Sequence, residues 1–590
     1  AAIHALNQLQ SNAATIENAR KAGKFKRTPE TLFNFTRHLI SSGLTPEDLD
    51  VLNAVHVSGT KGKGSTCSFV ESIFRAQGLK TGFYSSPHLV SVRERIRICS
   101  KPLSEEKFAS YFWKVYNSVR QNIGPNECMP AYFAFLTIVA FHVFIEERVD
   151  VAVIEVGIGG LYDCTNVLRK PVITAVTALD LDHMSILGDT VEKIAYHKGG
   201  IFKENAIALT IPQDGKALTV LKQQAIDRQS SLYLVPPASW YKWPSNKISS
   251  GIPGDSQFWN ISLAIQIAKL WNVRMTVTKK CDIYFSFTII VLMLSCNVFS
   301  YAHYRPSVYE SSPLNGYLSS SDDSGPTIPV LVPFPLLKPV RAGIKNCRWP
   351  GRSQIIRKLP ITYFIDGAHT AKSLQVERFE ILLVFLTIIN MILRDMWSRL
   401  MNRVLKVLVF NCTADRHPST LLPYLECSFD IALFCPNIVS EHVDPHAELA
   451  NLMTTRDIQM KKCVLCRDEY IRLCEKRKQT EESSFTIQSS VGQRFETIDY
   501  LTNSCQDENN LNVFTAVVPS VNEVFDFIRC IFHHDDSACV SDDSRNSLGT
   551  FVQQVDGKIH PVNVHVLVTG SLHLVGAFLG CIDVDLKAAK

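Results

Sequence analysis

Short apolar runs alternate with amphipathic segments along the first half of the chain. Runs of consecutive apolar, largely β-branched residues occupy positions 51–57, 149–160 and 171–179. Continuous runs of this kind are typical of strands buried on both faces of a parallel sheet. Between the first two runs, the pattern predicts a helix at about 65–77, with Val70, Ile73 and Phe74 on one face and Gly78 as a stop signal.

A second series of strand-like runs lies in the last part of the chain. These runs occupy positions 362–366, 406–411, 431–437 and 564–570, and helical or polar segments separate them. Strands that alternate with helices indicate an α/β fold. We therefore predict an α/β N-terminal domain at 1–278 and a smaller α/β C-terminal domain at 341–590.

Two apolar stretches interrupt this pattern. Residues 283–302 carry no charged side chain and are long enough to span a bilayer, whereas residues 381–393 are shorter and are typical of a buried helix. A Ser/Pro-rich stretch at 306–340 has the composition of a linker. We interpret 279–340 as an apolar insertion followed by a linker, and 376–393 as an atypical insertion in the second domain.

Charge and cysteine content exclude few classes of protein. The 61 basic and 56 acidic side chains give a net charge of +5 over 590 residues, which is too weak to indicate nucleic-acid binding. The 17 cysteines are scattered, as is usual in a reducing compartment. The pair Cys463 and Cys466 has no second CxxC nearby, so two ordinary thiols are favoured over a zinc site.

A glycine-rich basic loop lies between the first predicted strand and the first predicted helix. Its sequence, at 58–66, is SGTKGKGST. Glycine lets the backbone turn tightly and bring its N–H groups onto phosphate oxygens, and Lys63 would reach the terminal phosphates. The spacing departs from the strict Walker pattern, because Val57 replaces the first glycine and Gly64 replaces the hydroxyl residue. The flanking elements nevertheless favour phosphate binding over a flexible basic turn.

Two further polar residues follow predicted strands. Glu155 ends an apolar run, where a carboxylate needs water, a partner or a metal; metal ligation and a salt-bridged strand end both remain open. His183 follows another run, although an isolated histidine is more often structural. Ligands of α/β sheets gather beyond the carboxyl ends of strands, so the loop, Glu155 and His183 should converge there.

Several spaced motifs together resemble the folylpolyglutamate synthase family, which is related to the Mur ligases. The motifs are SGTKGKGST at 58–66, SSPHLVSVRERIRI at 85–98, EVGIGGLYDCTN at 155–166, LDHMSILGDTVEKIAYHKGGIF at 181–202, WPGRSQ at 349–354, FIDGAHT at 364–370 and VLVTGSLHLVGA at 566–577. They follow the family order across nearly the whole chain. The resemblance implies a Mur-ligase-like P-loop ATP-binding domain followed by a smaller Rossmann-like α/β C-terminal domain.

The resemblance also implies roles for individual residues. The loop residues that would hold ATP phosphates are Gly59, Thr60, Lys61, Gly62, Lys63, Gly64, Ser65 and Thr66. The residues that match other nucleotide contacts are Asn260, Arg352 and Asp366. The residues that match Mg²⁺ ligands are Ser86, Glu155 and His183. The residues that match catalytic positions are Lys63, Lys198 and His369, and Lys198 matches a lysine that is carbamylated in the family, which would turn a cation into a metal-bridging carboxylate.

The chain departs from the family pattern at several positions. Ser256 stands where the family has a histidine in its nucleotide segment, which puts that contact in doubt and leaves Asn260 as the expected contact. Ala414 and His417 replace a glycine and an aspartate. The two apolar stretches have no counterpart in the family.

The activity that the resemblance implies is ATP-dependent ligation of L-glutamate to the γ-carboxylate of tetrahydrofolate or a folylpolyglutamate, through an acyl phosphate. ATP and Mg²⁺ are the implied cofactors, and a monovalent cation is left open. We expect a monomer in the cytoplasm, the mitochondrion or both, with no nucleic-acid partner and no membrane span. Two alternatives are a bifunctional dihydrofolate synthase and an inactive product of a disrupted gene.

Overall fold

The chain forms two compact units. The computed structural model describes residues 1–10, 28–125, 127–244, 247–278, 298–299, 328–358, 361–368, 374, 404–412, 416–425, 429–439, 456–481, 487–491, 513–530, 553–555, 558–560 and 563–582. The first unit comprises Ala1–His88 and Val92–Trp349, and the second comprises Leu89–Ser91 and Pro350–Lys590.

The first unit has ten strands and ten α-helices within the described residues. Its strands are β1 (Val55–Ser58), β2 (Thr81–Tyr84), β3 (Ile96–Ile98), β4 (Lys101–Pro102), β5 (Val151–Glu155), β6 (Ile173–Val176), β7 (Ile207–Thr210), β8 (Ser231–Leu234), β9 (Val298–Phe299) and β10 (Val330–Leu331). Its helices are α1 (Ala2–Gln8), α2 (Pro29–Ser41), α3 (Lys63–Ala76), α4 (Glu105–Asn122), α5 (Tyr132–Glu146), α6 (Met184–Leu187), α7 (Val191–Gly199), α8 (Gly215–Asp227), α9 (Gln257–Thr278) and α10 (Lys338–Asn346).

These strands form one mixed sheet in the order β4-β3-β2-β5-β1-β6-β7-β8-β10-β9. All neighbours from β2 to β10 pair in parallel, and the strands at both edges pair antiparallel. The chain passes from β1 through α3 to β2, and β5 later enters between them. The strand order therefore reverses beside β1, and such reversals are where open α/β sheets bind ligands.

Helices cover both faces of this sheet. On one face, Val70, Ile73 and Phe74 of α3 are fully buried, as the sequence pattern predicted, and α9 and α10 pack against them. On the other face, α2, α4 and α5 contribute a second apolar cluster. The residues after Thr45 form a short 3₁₀ helix, Asp48–Leu52.

The second unit repeats the α/β plan on a separate sheet. Its strands are β11 (Gln354–Lys358), β12 (Ile361–Ile365), β13 (Val404–Phe410), β14 (Ile431–Phe434), β15 (Ile487–Val491), β16 (Val513–Val517), β17 (Gln553–Val555), β18 (Lys558–His560) and β19 (Asn563–Thr569). Its helices are α11 (Pro418–Leu421), α12 (Arg456–Glu481), α13 (Val521–Cys530) and α14 (Leu572–Ile582). The main sheet runs β11-β12-β19-β13-β14-β16-β15 and is parallel apart from β11, while β17 and β18 form a small hairpin pair.

The division between the units differs from the predicted one. We expected residues 279–340 to be an insertion and linker and the second domain to start at 341. Instead, the segment 328–349 belongs to the first unit, where β10 pairs with β8 and α10 packs on α3. The reason is apolar burial: Ile328, Leu331 and Ile344 are at most 3% exposed.

Within the described parts of the chain, no helix is long and apolar enough to cross a membrane. Of the apolar stretch 283–302, only β9 is among the described residues, and 376–393 lies outside them altogether. Cys463 and Cys466 are buried free thiols on α12, and Cys466 Sγ lies 3.6 Å from Cys412 Sγ.

Candidate active site

Two glycines give the loop between β1 and α3 its shape. Gly59 has φ +145° and Gly62, the N-cap of α3, has φ +82°. A Cβ on Gly59 would lie 1.8 Å from Thr177 Oγ1, so no larger residue fits there. The loop thus turns tightly into the first turn of α3, whose backbone N–H groups have no intrahelical acceptors and suit an anion.

The loop is held against the segment that follows β6. The N–H groups of Thr60 and Lys61 donate to the Ala178 carbonyl at 2.9 and 3.0 Å. Thr60 Oγ1 also donates to the Asp180 carbonyl at 3.0 Å. These bonds hold the loop backbone in one conformation, as phosphate binding requires.

Asn260 of α9 lies directly against the loop. Its side-chain oxygen accepts a hydrogen bond from Thr66 Oγ1 at 3.2 Å and would be 2.3 Å from a Cβ on Gly62. Its Nδ2 donates to Gln257 Oε1 at 3.0 Å. Ser256, which stands where the family has a histidine, accepts a hydrogen bond from Gln257 Nε2 at 3.4 Å.

Ser86 and Glu155 meet at the ends of the neighbouring strands β2 and β5. The Ser86 N–H donates to Glu155 Oε2 at 3.3 Å, and Glu155 is 5% exposed. His183 follows β6, has φ +52° and is exposed, with Nε2 4.0 Å from Asp182 Oδ2. The structure therefore brings Ser86 and Glu155 together and places His183 after a strand on the other side of β1.

The oxygen donors at the ends of β2 and β5 suit a hard divalent cation. No group of three or more His, Cys, Asp or Glu side chains arranged for a metal occurs among the residues that the structure describes. Magnesium usually takes one or two carboxylates and completes its shell with water and substrate phosphates. A single buried carboxylate, Glu155, beside a phosphate loop suits that preference.

Lys198 of α7 is buried beneath the loop. The residue is 3% exposed, and its Nζ donates to the Gly59 carbonyl at 2.6 Å. Burial, with the nearby positive charge of Lys63, holds the pKa of Lys198 well below its usual value, and Asp182 opposes that shift. A lowered pKa favours the neutral amine, which is the nucleophilic form of lysine.

In the second unit, two predicted nucleotide residues lie side by side. Asp366 follows β12, and its Oδ2 accepts hydrogen bonds from Ser353 N–H at 2.6 Å and Ser353 Oγ at 3.3 Å. Burial raises the pKa of Asp366, and the Arg352 guanidinium opposes the rise. His369 lies outside the described residues.

Sequence reasoning did not find several residues that shape this site. Thr177 fills the space beside Gly59, and the ring of Trp349 lies against Gly64. Asp163 is fully buried and accepts hydrogen bonds from Ile158 N–H and Thr165 Oγ1, which orders the glycine-rich segment after β5. The signal in the sequence is an aspartate three residues after a pair of glycines, and it does not specify which backbone groups the carboxylate holds.

The described geometry can support phosphoryl chemistry. A rigid loop offers backbone N–H groups and Lys63, a buried carboxylate, Glu155, lies at the end of a neighbouring strand, and Lys198 lies beneath the loop. Together these groups can neutralise and orient a nucleotide triphosphate.

Proteins of similar sequence share one name. The mitochondrial folylpolyglutamate synthase of Bos taurus is 36% identical over 593 residues, which cover 99% of this chain and 92% of the relative. The putative folylpolyglutamate synthase of Caenorhabditis elegans is 38% identical over 499 residues, which cover 84% and 86%. The folylpolyglutamate synthase of Saccharomyces cerevisiae (strain YJM789) is 31% identical over 608 residues, which cover 99% and 87%. No protein-family model matches the chain.

Solved structures of similar fold carry the same names. The E. coli FolC in complex with DHPP and ADP superposes with a TM-score of 0.55 at 18% identity, covering 98% of this chain and 99% of that one. The Mycobacterium tuberculosis folylpolyglutamate synthase complexed with ADP and AMPPCP gives the same score and identity, covering 97% and 98%. This likeness confirms the predicted fold class. The sequence identity to the curated relatives, over most of each chain, shows that this chain belongs to the folylpolyglutamate synthase family.

Proposed function

We propose that the chain is an ATP-dependent ligase that joins L-glutamate to the γ-carboxylate of tetrahydrofolate or of a folylpolyglutamate. This proposal rests on the glycine-rich loop between β1 and α3, which hydrogen bonds hold against the segment after β6. Glu155 lies at the adjacent strand end, and the chain belongs to this family. A phosphate loop without a redox cofactor motif suits phosphoryl transfer. The products would be an amide, ADP and phosphate.

The reaction needs activation of a poor electrophile. The γ-phosphoryl group of ATP moves to the folate carboxylate, which forms an acyl phosphate and releases ADP. The glutamate amine then attacks the acyl carbon, and phosphate leaves as the amide bond forms. Most of the rate enhancement comes from positioning and charge neutralisation, which we assign to the loop N–H groups and Lys63.

Magnesium would be held by Glu155, Ser86 and His183, and it would supply positive charge at the phosphates when bound. A buried carboxylate fixed by the Ser86 N–H provides a hard oxygen ligand in a defined position. A monovalent cation is a further candidate for this family, and no described residue is assigned to it.

Lys198 is proposed to act as a carbamate. Carbon dioxide would add to the neutral amine, which forms an N–C bond and releases one proton. The lowered pKa of Lys198 favours this reaction. The resulting carbamate would place a negative charge beneath the phosphate loop.

The remaining site residues are assigned to substrates. Asn260, Arg352 and Asp366 are proposed to contact the nucleotide, and His369 is proposed as a catalytic group. The protein is proposed to act as a monomer in the cytoplasm, the mitochondrion or both; relatives from Bos taurus and Homo sapiens are named mitochondrial.

Replacement of Lys63 tests the proposed function directly. Lys63→Ala removes the ammonium that neutralises charge on the phosphoryl oxygens, and such a group contributes on the order of 10²-fold or more in rate. We expect the variant to lose glutamate ligation, measured by incorporation of radiolabelled glutamate into tetrahydrofolate, while its thermal unfolding midpoint stays unchanged. Near-normal turnover would refute the assignment.

A second variant tests the loop through its backbone. Gly59→Ala places a Cβ against Thr177 and strains a backbone with φ +145°, so it should abolish binding of a fluorescent ATP analogue. The matched control is Gly215→Ala, because Gly215 has no heavy atom within 4 Å of an added Cβ. Wild-type affinity in both variants would contradict a nucleotide site at this loop.

A further inference from the structure

We propose that Trp349 is a positioning residue for the nucleotide: its indole fixes the first turn of α3 by packing against Gly64. The inference rests on the proposed function, since it concerns the same phosphate loop. It also accounts for Gly64, which stands where phosphate loops of the strict Walker pattern carry a hydroxyl residue.

The contact between Trp349 and Gly64 leaves little room for a side chain. A Cβ on Gly64 would lie 3.0 Å from Cζ2, 3.2 Å from Nε1 and 3.3 Å from Cε2 of Trp349. Gly64 is helical and its φ lies outside the left-handed region, so its backbone conformation does not require glycine. The close contact with the neighbouring indole therefore favours glycine at this position.

The ring of Trp349 is itself held from two sides. It packs edge-on against Phe83 of β2 with 5.4 Å between ring centroids. The Arg97 guanidinium lies over it at 5.1 Å, and Arg97 Nε donates to the Glu94 carbonyl at 2.8 Å. A cation over an aromatic face is attractive, and a ring enclosed in this way cannot move freely away from Gly64.

The segment that ends in Trp349 runs along α3 for most of its length. Gly343 lies against Ile73, where a Cβ would be 2.6 Å from the Ile73 Cα, and Ser72 Oγ donates to the Gly343 carbonyl at 2.7 Å. Ser68 Oγ lies 3.2 Å from Cys347 Sγ. The segment 338–349 is thus anchored on the phosphate-loop helix from its C-terminal half to its first turn.

This anchoring has a consequence for catalysis. The N–H groups at the first turn of α3 are those proposed to bind phosphates, and displacements of a few tenths of an ångström to 1 Å there change how well they meet the phosphate oxygens. Misplacement on this scale typically costs on the order of 10-fold to 10²-fold in activity. Trp349 would therefore affect nucleotide use without touching the reacting atoms.

The test compares KM for ATP, kcat, affinity for a fluorescent ATP analogue and the unfolding midpoint in a set of variants. Trp349→Leu should raise KM for ATP on the order of 10-fold, whereas Trp349→Phe, which keeps an aromatic ring, should stay close to wild type. Gly64→Ala should raise KM as well, and Gly64→Ala combined with Trp349→Leu should be less impaired than the sum of the two changes, because the clash is gone.

The matched control is Trp271, a buried tryptophan that packs on Phe74 at the other end of the same helix, with 4.9 Å between ring centroids. Trp271→Phe should lower the unfolding midpoint without changing KM for ATP. An unchanged KM for ATP in Trp349→Leu would overturn the inference, and so would strictly additive effects of Trp349→Leu and Gly64→Ala. In either case, loss of nucleotide binding in Lys63→Ala would still uphold the proposed function. Wild-type nucleotide affinity in Lys63→Ala would overturn both.

Discussion

At the scale of single residues, the site combines positions that are visible in the sequence with positions that are not. The glycines, Lys63 and Glu155 were predicted because their chemistry is carried by a local motif. Thr177 could not be predicted, since its contact with Gly59 exists only because β6 pairs with β1. Long-range pairing of this kind leaves no trace in the local pattern.

Glu155 provides a prediction about metal dependence. Glu155→Gln removes one negative charge but keeps the volume and the acceptor for the Ser86 N–H. We expect the Mg²⁺ concentration for half-maximal ligation to rise on the order of 10-fold or more, since a lost ligand or its support typically costs 10–100-fold in metal affinity. The unfolding midpoint without Mg²⁺ should change little, and an unchanged Mg²⁺ titration would contradict the proposed ligand role.

His142 predicts a pH dependence of stability. Burial lowers its pKa to about 4, although Glu146 opposes the shift, and its Nε2 lies 2.9 Å from Ser42 Oγ. In the unfolded chain the ordinary pKa of 6.5 applies, so between pH 6.5 and 4 only the unfolded state takes up this proton. As the pH decreases through that window, this group should lower the free energy of unfolding by about 1.4 kcal/mol per pH unit.

The comparison with His142→Gln isolates this contribution. Glutamine can keep a hydrogen bond to Ser42 but does not titrate, so the variant should lose less stability than the wild type between pH 6.5 and 4. Urea unfolding at several pH values measures the difference. Parallel curves for the two proteins would show that His142 is protonated in the folded state.

At the scale of secondary-structure elements, the sequence pattern predicts the positions of the buried strands well and the position of the domain boundary poorly. The strands predicted at 406–411 and 564–570 correspond to β13 and β19, because buried β-branched runs are unambiguous. The linker prediction failed at α10. Its proline and polar content is typical of a loop, and its packing on α3 depends on Gly343, whose missing side chain gives no hydrophobic signal.

Gly343 therefore predicts how closely α10 packs on α3. Gly343→Val would place carbon atoms within about 2.6 Å of the Ile73 backbone, so the two helices must separate. Overpacking of this type costs about 1–3 kcal/mol in the free energy of unfolding. Lys345→Val, an exposed position on the same helix, is the control for β-branching. Equal stability of both variants would contradict this close packing.

At the scale of the whole molecule, the two apolar stretches remain the main departure from the family. We predict that neither 279–302 nor 376–393 belongs to the active enzyme, and we favour translated intron sequence over a surface insertion. In the described structure, the first stretch contributes only β9, a two-residue strand at the sheet edge. Its removal would leave all interior strand pairs intact.

Expression of two proteins checks this prediction. The full-length chain should expose contiguous apolar side chains and aggregate, whereas the chain without both stretches should be soluble and should add glutamate to tetrahydrofolate. Soluble yield and ligation activity are the measurements. Equal solubility and activity of the two proteins, or a mature transcript that encodes both stretches, would refute the idea.

The hydrogen bonds between the phosphate loop and the segment after β6 also have a consequence during biosynthesis. Thr60 and its partner Asp180 are 120 residues apart in the chain. At ~5–20 residues per second, the ribosome needs on the order of 10 s to supply the second after the first. Both β5 and β6 are synthesised only late in that interval, so β1 lacks both neighbouring strands for most of it. A growing chain that ends before Asp180 should therefore not retain ATP, and nucleotide cannot help the earliest part of the domain to fold.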